Sequence, residues 1–231
     1  AGMRGIIGAG INRMNIYTVR QATEGLALFI DSLDEAAKKR GVAIAFDSRH
    51  QSPEFAMEAA KTLAAHGIKS YLFESLRSTP ELSFTVRHFN CIAGIMITAS
   101  HNPKEYNGFK VYGSDGAQMP PQDADLVTKY VRSIDNPLTI EVLPQSEAGE
   151  LIQIVGEDVD AVYLEHLKTV TVNKDVIKKT EDELKIVFTP LHGTGQMIGE
   201  KALAQAGFKN VLVVPEQREA DADFSTVKSP N

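Results

Sequence analysis

The sequence predicts an α/β protein of layered α/β/α domains with mixed, mostly parallel sheets. Three observations carry that reading. Short apolar runs rich in β-branched residues, such as VAIAF at 42–46 and AGIMI at 93–97, have the length and composition of buried strands. Between them lie longer stretches with apolar residues at helical spacing, two of them opened by a Ser/Thr-Pro-Glu signal. Strand and helix alternate, the rhythm of βαβ units.

The first long amphipathic stretch runs from Thr18 to Arg40 and reads as one helix, with Val19, Ala22, Leu26, Phe29, Ile30 and Leu33 on its buried face. Val42 to Asp47 is the next strand. Ser52-Pro53-Glu54 supplies an N-cap, a proline at the first helical position and an acid in the first turn, and the helix stops at Gly67. Lys69 to Ser75 is a strand, Thr79-Pro80-Glu81 opens a helix to about His88, and Ala93 to Thr98 is a third strand. Tyr106-Asn107-Gly108 reads as a tight turn that returns the chain as the strand FKVYG, and a helix follows over 123–133. Around Asp135 to Glu150 the composition shifts to Pro, Ser, Gln and Gly, so a domain boundary is placed there: 1–148 as a first, complete domain and 149–231 as part of a second. That part holds a helix over 158–169, a strand at LKIVFTP, a helix ending at Gly207 and a strand at NVLVV. It is too small to cover both faces of a parallel sheet, and reads as truncated.

Composition limits the function classes. The 231 residues carry 43% hydrophobic and 23% charged side chains, ordinary for a globular protein. A net charge of -6 argues against nucleic acid as a partner. No apolar run reaches the roughly 20 residues of a membrane span. The single cysteine, Cys91, excludes an internal disulfide and a cysteine-built zinc site, and reads as a small buried hydrophobe. With no secretory pattern at the start, the expected compartment is the cytoplasm. An anionic ligand would need a local cationic cluster against the acidic average. Arg4, Arg49, His101, Lys104 and Lys110 can supply one.

The chemistry concentrates in TASHNPKEYNGFKVYG, which follows the third strand. Loops at the carboxyl ends of strands are where ligands gather in open α/β sheets. Thr98, Ser100, His101 and Asn102 place hydroxyl, imidazole and amide groups within five positions, with Lys110 near the loop's mouth. Ser100 and His101 are adjacent in sequence, which does not suit a base activating its neighbour, and no G-x-S-x-G elbow is present. Phosphate chemistry fits this set better than acyl transfer. Asp221 and Asp223 form an Asp-x-Asp pair that reads as a solvated loop, and His192 as part of a turn at a domain interface.

The stretch TASHNPKEYNGFKVYG resembles the active-site loop of the α-D-phosphohexomutases, the phosphoglucomutase and phosphomannomutase family. GMRGIIGAGINRMN resembles that family's Arg-Gly substrate loop, AFDSRHQSP its Asp-x-Arg segment, and TPLHGTG the turn opening its second domain. The resemblance covers the chain but only about two-fifths of a typical member. It implies that Ser100 carries a phosphoryl group and exchanges it with a hexose monophosphate, through a bisphosphorylated sugar. It implies Lys110 as general acid/base, His101 as an orienting or proton-relaying group, and Arg4 as a stabiliser of the transferring phosphoryl. Arg49 and Asn102 are implied at the substrate side or as supports of the serine loop. Mg²⁺ would bind the phosphate on Ser100, with its remaining ligands in an Asp-Gly-Asp-x-Asp-Arg loop expected beyond Asn231, and glucose 1,6-bisphosphate would act as activator. The sugar-selecting and phosphate-binding loops would belong to third and fourth domains of the same protein, and the chain alone is expected to be inactive. Two alternatives stay open: a non-catalytic sugar-phosphate-binding or regulatory module, and a serine-dependent hydrolase.

Overall fold

A computed structural model describes residues 2–227. The first unit is built on a six-stranded sheet of order β1-β5-β4-β2-β3-β6. Its strands are β1 (Gly2–Ile6), β2 (Val42–Phe46), β3 (Ser70–Phe73), β4 (Ala93–Ile97), β5 (Tyr106–Gly113) and β6 (Ile152–Val155). The β4–β2, β2–β3 and β3–β6 pairs are parallel, while β5 runs antiparallel to both β4 and β1. Every residue of β2 and β4 is buried, as central strands covered on both faces must be.

Two helical layers cover this sheet. On one face α1 (Ile16–Asp31), α3 (Ser52–Ala65) and α5 (Pro121–Arg132) pack Leu26, Phe55, Leu63 and Val127 against Ile44, Ile95 and Phe109. On the other, α4 (Thr79–His88) and α7 (Glu157–Leu167) bury Leu82, Val86 and Val159 against Ala43, Ala45, Met96 and Tyr112. Alanines in β2 suit this second face, where the helices approach closely. Short helices α2 (Glu35–Arg40) and α6 (Gln145–Ala148) complete the unit.

The second unit is smaller: α8 (Lys174–Thr180), β7 (Lys185–Phe188), α9 (Gln196–Ala206), β8 (Asn210–Val213) and α10 (Pro215–Arg218). Strands β7 and β8 pair in parallel, and Val187 and Leu212, which face each other in register, are 70% and 60% exposed. No helix of the described residues is long and apolar enough to cross a membrane.

Several local expectations are corrected. The stretch 18–40 is two helices, because Asp34 caps α2 by accepting from the Ala37 N–H at 2.7 Å and so ends the first pattern near Ser32. Asn107-Gly108 is the start of β5, not a turn. A Cβ at Gly108 would lie 2.5 Å from Thr98 O and 2.9 Å from Met3 O, so the glycine answers a close approach of three strands. The residues GMRGI form an edge strand, not a loop. Ser52 is inside α3 rather than its cap: Gln51, at φ 62°, occupies the cap position without a side-chain bond. Finally, β6 pairs with β3, so the sheet crosses the boundary expected between 148 and 149. Cys91 is fully buried, and burial pushes its thiol up to about 12.

Candidate active site

The site is assembled at the carboxyl ends of β2 and β4. Parallel strands deliver Asp47 and Thr98 to the same edge of the sheet, and the loops that follow carry the polar groups. Thr98 Oγ1 accepts from the Ser100 N–H at 2.9 Å, which turns the chain sharply and leaves Ser100 at φ 60°. A non-glycine residue in that left-handed region is strained, and here the strain projects an exposed serine from the loop. His101 Nδ1 stands 3.4 Å from Ser100 Oγ, so the two adjacent side chains do meet.

Arg49 holds this loop from beneath. Its Nη2 donates to Ser100 O at 2.9 Å and Asn102 O at 2.6 Å, and its Nη1 donates to Pro103 O at 2.8 Å and Tyr106 O at 3.1 Å. Its Nε lies 3.2 Å from Asp47 Oδ2, an ion-pair distance without hydrogen-bond alignment. Asp47 Oδ1 accepts from the Arg49 N–H at 3.0 Å and from Ser52 Oγ at 2.8 Å. A planar five-donor fork can hold several carbonyls at once, which a lysine could not. The Arg49 side chain is 0% exposed. Both of its terminal nitrogens bond carbonyls of the serine loop. Asn107 Nδ2 adds a second support, donating to His50 O and to Ser52 Oγ.

Arg4 and Lys110 reach the site through strand register. Arg4 faces Gly108 across the β1–β5 ladder, and Lys110 lies two residues further along the same face. Lys110 also faces Met96 on β4, so Arg4, Lys110, Met96 and Thr98 share one side of the sheet. Arg4 Nη1 donates to Asn102 Oδ1 at 2.8 Å, tying the edge strand to the serine loop. Burial lowers the Lys110 pKa below the usual lysine range; the Arg4 charge lowers it further and Asp47 partly offsets both.

Ser100, His101, Thr98 and Asp47 line a cleft whose far wall is the Pro190–Gly195 turn of the second unit. In that turn Leu191 and His192 have φ 49° and 61°. His192 is buried, its Nδ1 3.0 Å from Glu219 O and its Nε2 2.8 Å from Thr226 Oγ1, so it fastens the turn to the following segment. Asp223 is not simply solvated: Lys104 Nζ donates to its Oδ1 at 3.0 Å, which also lies 3.2 Å from His50 Nε2. The charge of Lys104, expected in the cationic cluster, is thereby paired with a carboxylate. Ser52 and Asn107 are supports that sequence reading missed, and Phe224 also lines the cleft. The Asn-Gly pair was visible, but its turn reading hid the buried amide.

Among the described residues no group of three or more His, Cys, Asp or Glu side chains is placed to hold a metal ion. Ser100 offers one oxygen, and Mg²⁺ takes six ligands in near-octahedral geometry. These residues by themselves do not make a magnesium site.

Fold and site together describe two α/β units with an exposed, strained serine at the mouth of the cleft between them. The alpha/beta/alpha domain I pattern of phosphoglucomutase/phosphomannomutase matches residues 1–138, and the domain II pattern matches residues 161–231. A phosphoglucomutase of Staphylococcus aureus is 39% identical over 231 residues, covering 100% of this chain and 40% of the relative. One of Staphylococcus epidermidis is 41% identical over 232 residues, covering 100% of this chain and 41% of the relative. Among solved structures, a putative phosphomannomutase from Thermus thermophilus superposes with a TM-score of 0.79 at 23% identity, over 98% of this chain and 46% of the other. A phosphoglucomutase from Paramecium in an open form gives 0.69 at 19% identity, over 98% and 47%. The chain belongs to the phosphoglucomutase/phosphomannomutase family. It spans about two-fifths of the length of the curated relatives it matches.

Proposed function

We propose that this chain is the phosphoserine-bearing part of a cytoplasmic phosphohexomutase that interconverts hexose 1-phosphate and hexose 6-phosphate, with glucose as the sugar. The observation that carries the reading is Ser100, exposed and held at φ 60° by Thr98 and Arg49 at the mouth of the interdomain cleft. A phosphoryl group on Ser100 Oγ is the donor. A free sugar hydroxyl attacks its phosphorus; the bond from phosphorus to Ser100 Oγ breaks as the bond to the sugar oxygen forms. The hydroxyl proton passes to the unprotonated Lys110 amine, which its lowered pKa makes more abundant near neutrality. The departing serine oxygen takes a proton, for which His101 is the adjacent donor. The bisphosphorylated sugar then turns over and returns its other phosphoryl to Ser100 by the reverse of these steps.

Arg4, on the same face as Lys110, supports the reading as a positive charge for the transferring group, and Asn102 fixes its guanidinium. Mg²⁺ is the proposed metal of the whole protein and glucose 1,6-bisphosphate its activator. Of the metal's ligands this chain would supply only one oxygen, through Ser100. Third and fourth domains of the same protein are the proposed partners that complete the site, and the 231-residue chain is expected to lack mutase activity by itself. The test is intact-mass analysis after incubation of the whole protein with glucose 1,6-bisphosphate, beside Ser100→Ala. A single phosphate on the wild type, located at Ser100 and missing from the variant, is expected together with glucose 1-phosphate turnover. Turnover that survives Ser100→Ala would sink the reading.

A further inference from the structure

The loop 221–227 of the second unit is built, not loose. Asp221 accepts from the Asp223 N–H at 2.9 Å, from the Ser225 N–H at 3.0 Å and from Ser225 Oγ, and its pKa falls to about 2 under those bonds. This knot sets Phe224 at φ 48°, with its ring 6% exposed although it lies in a surface loop. The ring does not enter either hydrophobic core of the first unit. Its face lies against the Arg49 guanidinium, 5.1 Å from Arg49 Cζ to the ring centroid. On one side of Phe224, Asp223 pairs with Lys104, a residue of the serine loop. On the other, His192 and Thr226 join the loop to the turn that walls the cleft.

We propose that Phe224 is a positioning residue for Ser100, acting through Arg49. The four carbonyl bonds of the Arg49 guanidinium use its terminal N–H groups, Nε stands 3.2 Å from Asp47 Oδ2 without a hydrogen bond, and the Phe224 ring lies over a face of the cation. An open face would be wetted, and the higher local dielectric would weaken those charge-assisted bonds. An aromatic ring over the cation excludes that water and is itself attracted to the charge, most strongly where the pair is desolvated. The second unit thereby sets how tightly the first unit holds its reactive loop. A separation of the units that lifts Phe224 from Arg49 loosens the Ser100 loop. The inference uses the proposed function only in calling that loop the reactive one.

The test is amide hydrogen exchange on the whole protein, which needs no turnover and so stands apart from the mutase assay. The amides to follow are Ser100, Asn102 and Tyr106, which donate to Thr98 Oγ1, Ala99 O and Pro103 O. Phe224→Ala should speed their exchange about tenfold while the amides of β2 and β4 keep their protection. Phe224→Tyr, which keeps the ring face, should restore the wild-type rate. Asp223→Asn, which removes the Lys104 pair without opening a cavity, should give a smaller acceleration confined to the same loop. Unchanged loop exchange in Phe224→Ala overturns the proposal. So does equal acceleration of loop and core, or failure of Phe224→Tyr to restore the rate.

Discussion

Arg49 and Ser100 are joined by a 2.9 Å hydrogen bond from the guanidinium Nη2 to the serine's carbonyl oxygen, with the Arg49 side chain wholly out of solvent. A buried cation thus fixes the backbone of a residue that is itself exposed. Removing it takes a donor from four carbonyl oxygens, of which Pro103 O still accepts from the Tyr106 N–H, and leaves Asp47 without its charge partner. We expect Arg49→Ala to cost about 3–5 kcal/mol of stability, as for a broken buried pair. Arg49→Lys, which keeps the charge but not the fork, should cost about 1–3 kcal/mol. Urea unfolding midpoints of the two variants check the order and the size.

Ser100 itself is held against its backbone preference. Glycine adopts a φ of about 60° without that cost. Ser100→Gly should therefore raise the thermal midpoint, by an amount equivalent to roughly 1 kcal/mol, while destroying phosphate acceptance. A variant less stable than the wild type would show that the left-handed turn carries no strain.

Lys110 separates charge from proton transfer. Lys110→Arg keeps a cation on the same sheet face but cannot lose its proton near neutral pH. In the whole protein we expect kcat to fall by about 10²–10⁴ with little change in KM, the size of a lost general acid/base. An equal rise in KM with kcat intact would instead assign Lys110 to binding alone.

The buried Glu81 should make stability depend on pH. Glu81 is fully buried with neither carboxyl oxygen hydrogen-bonded, while Arg77 gives its Nε and Nη2 to Asp160 at 2.7 and 2.9 Å. Burial, then the neighbouring Asp160, push the Glu81 pKa from 4.5 up to about 8. The folded protein binds a proton there that the unfolded chain releases. Stability from this group is full below about 4.5 and is lost as pH rises toward about 8. Glu81→Gln should flatten that decline and melt above the wild type at alkaline pH. Melting curves at about pH 5.5 and about pH 8.5 give the comparison. Parallel curves at both values would place the proton elsewhere.

Much of this arrangement was legible in the linear chain, for local reasons. Thr79-Pro80-Glu81 stands at the start of α4 as the signal indicates, although the cap is Ser78, one residue earlier, because helix starts are settled between near neighbours. Apolar runs at 42–46 and 93–97 are the central strands because both their faces are covered. The serine loop stood out by its concentration of polar groups after a strand. Errors arose where a local signal served a distant contact. Asn107-Gly108 carries turn residues, yet the glycine is there because Thr98 and Met3 backbone atoms crowd it. Arg4 looked like a loop residue because an edge strand of 5 residues has no periodicity strong enough to show itself.

Sequence alone determined the α/β class and the order of most helices and strands, and it singled out Ser100, His101, Lys110 and Arg4 as candidates. These follow from side-chain period, caps and composition, which act between near neighbours, and from the match of short motifs. Tertiary structure decided the rest: that Arg49 turns inward, that register brings Arg4 and Lys110 to one face, and that Phe224 covers the guanidinium. Such contacts join residues far apart in the chain, and their energy comes from desolvation and close approach, quantities that exist only once the chain is folded.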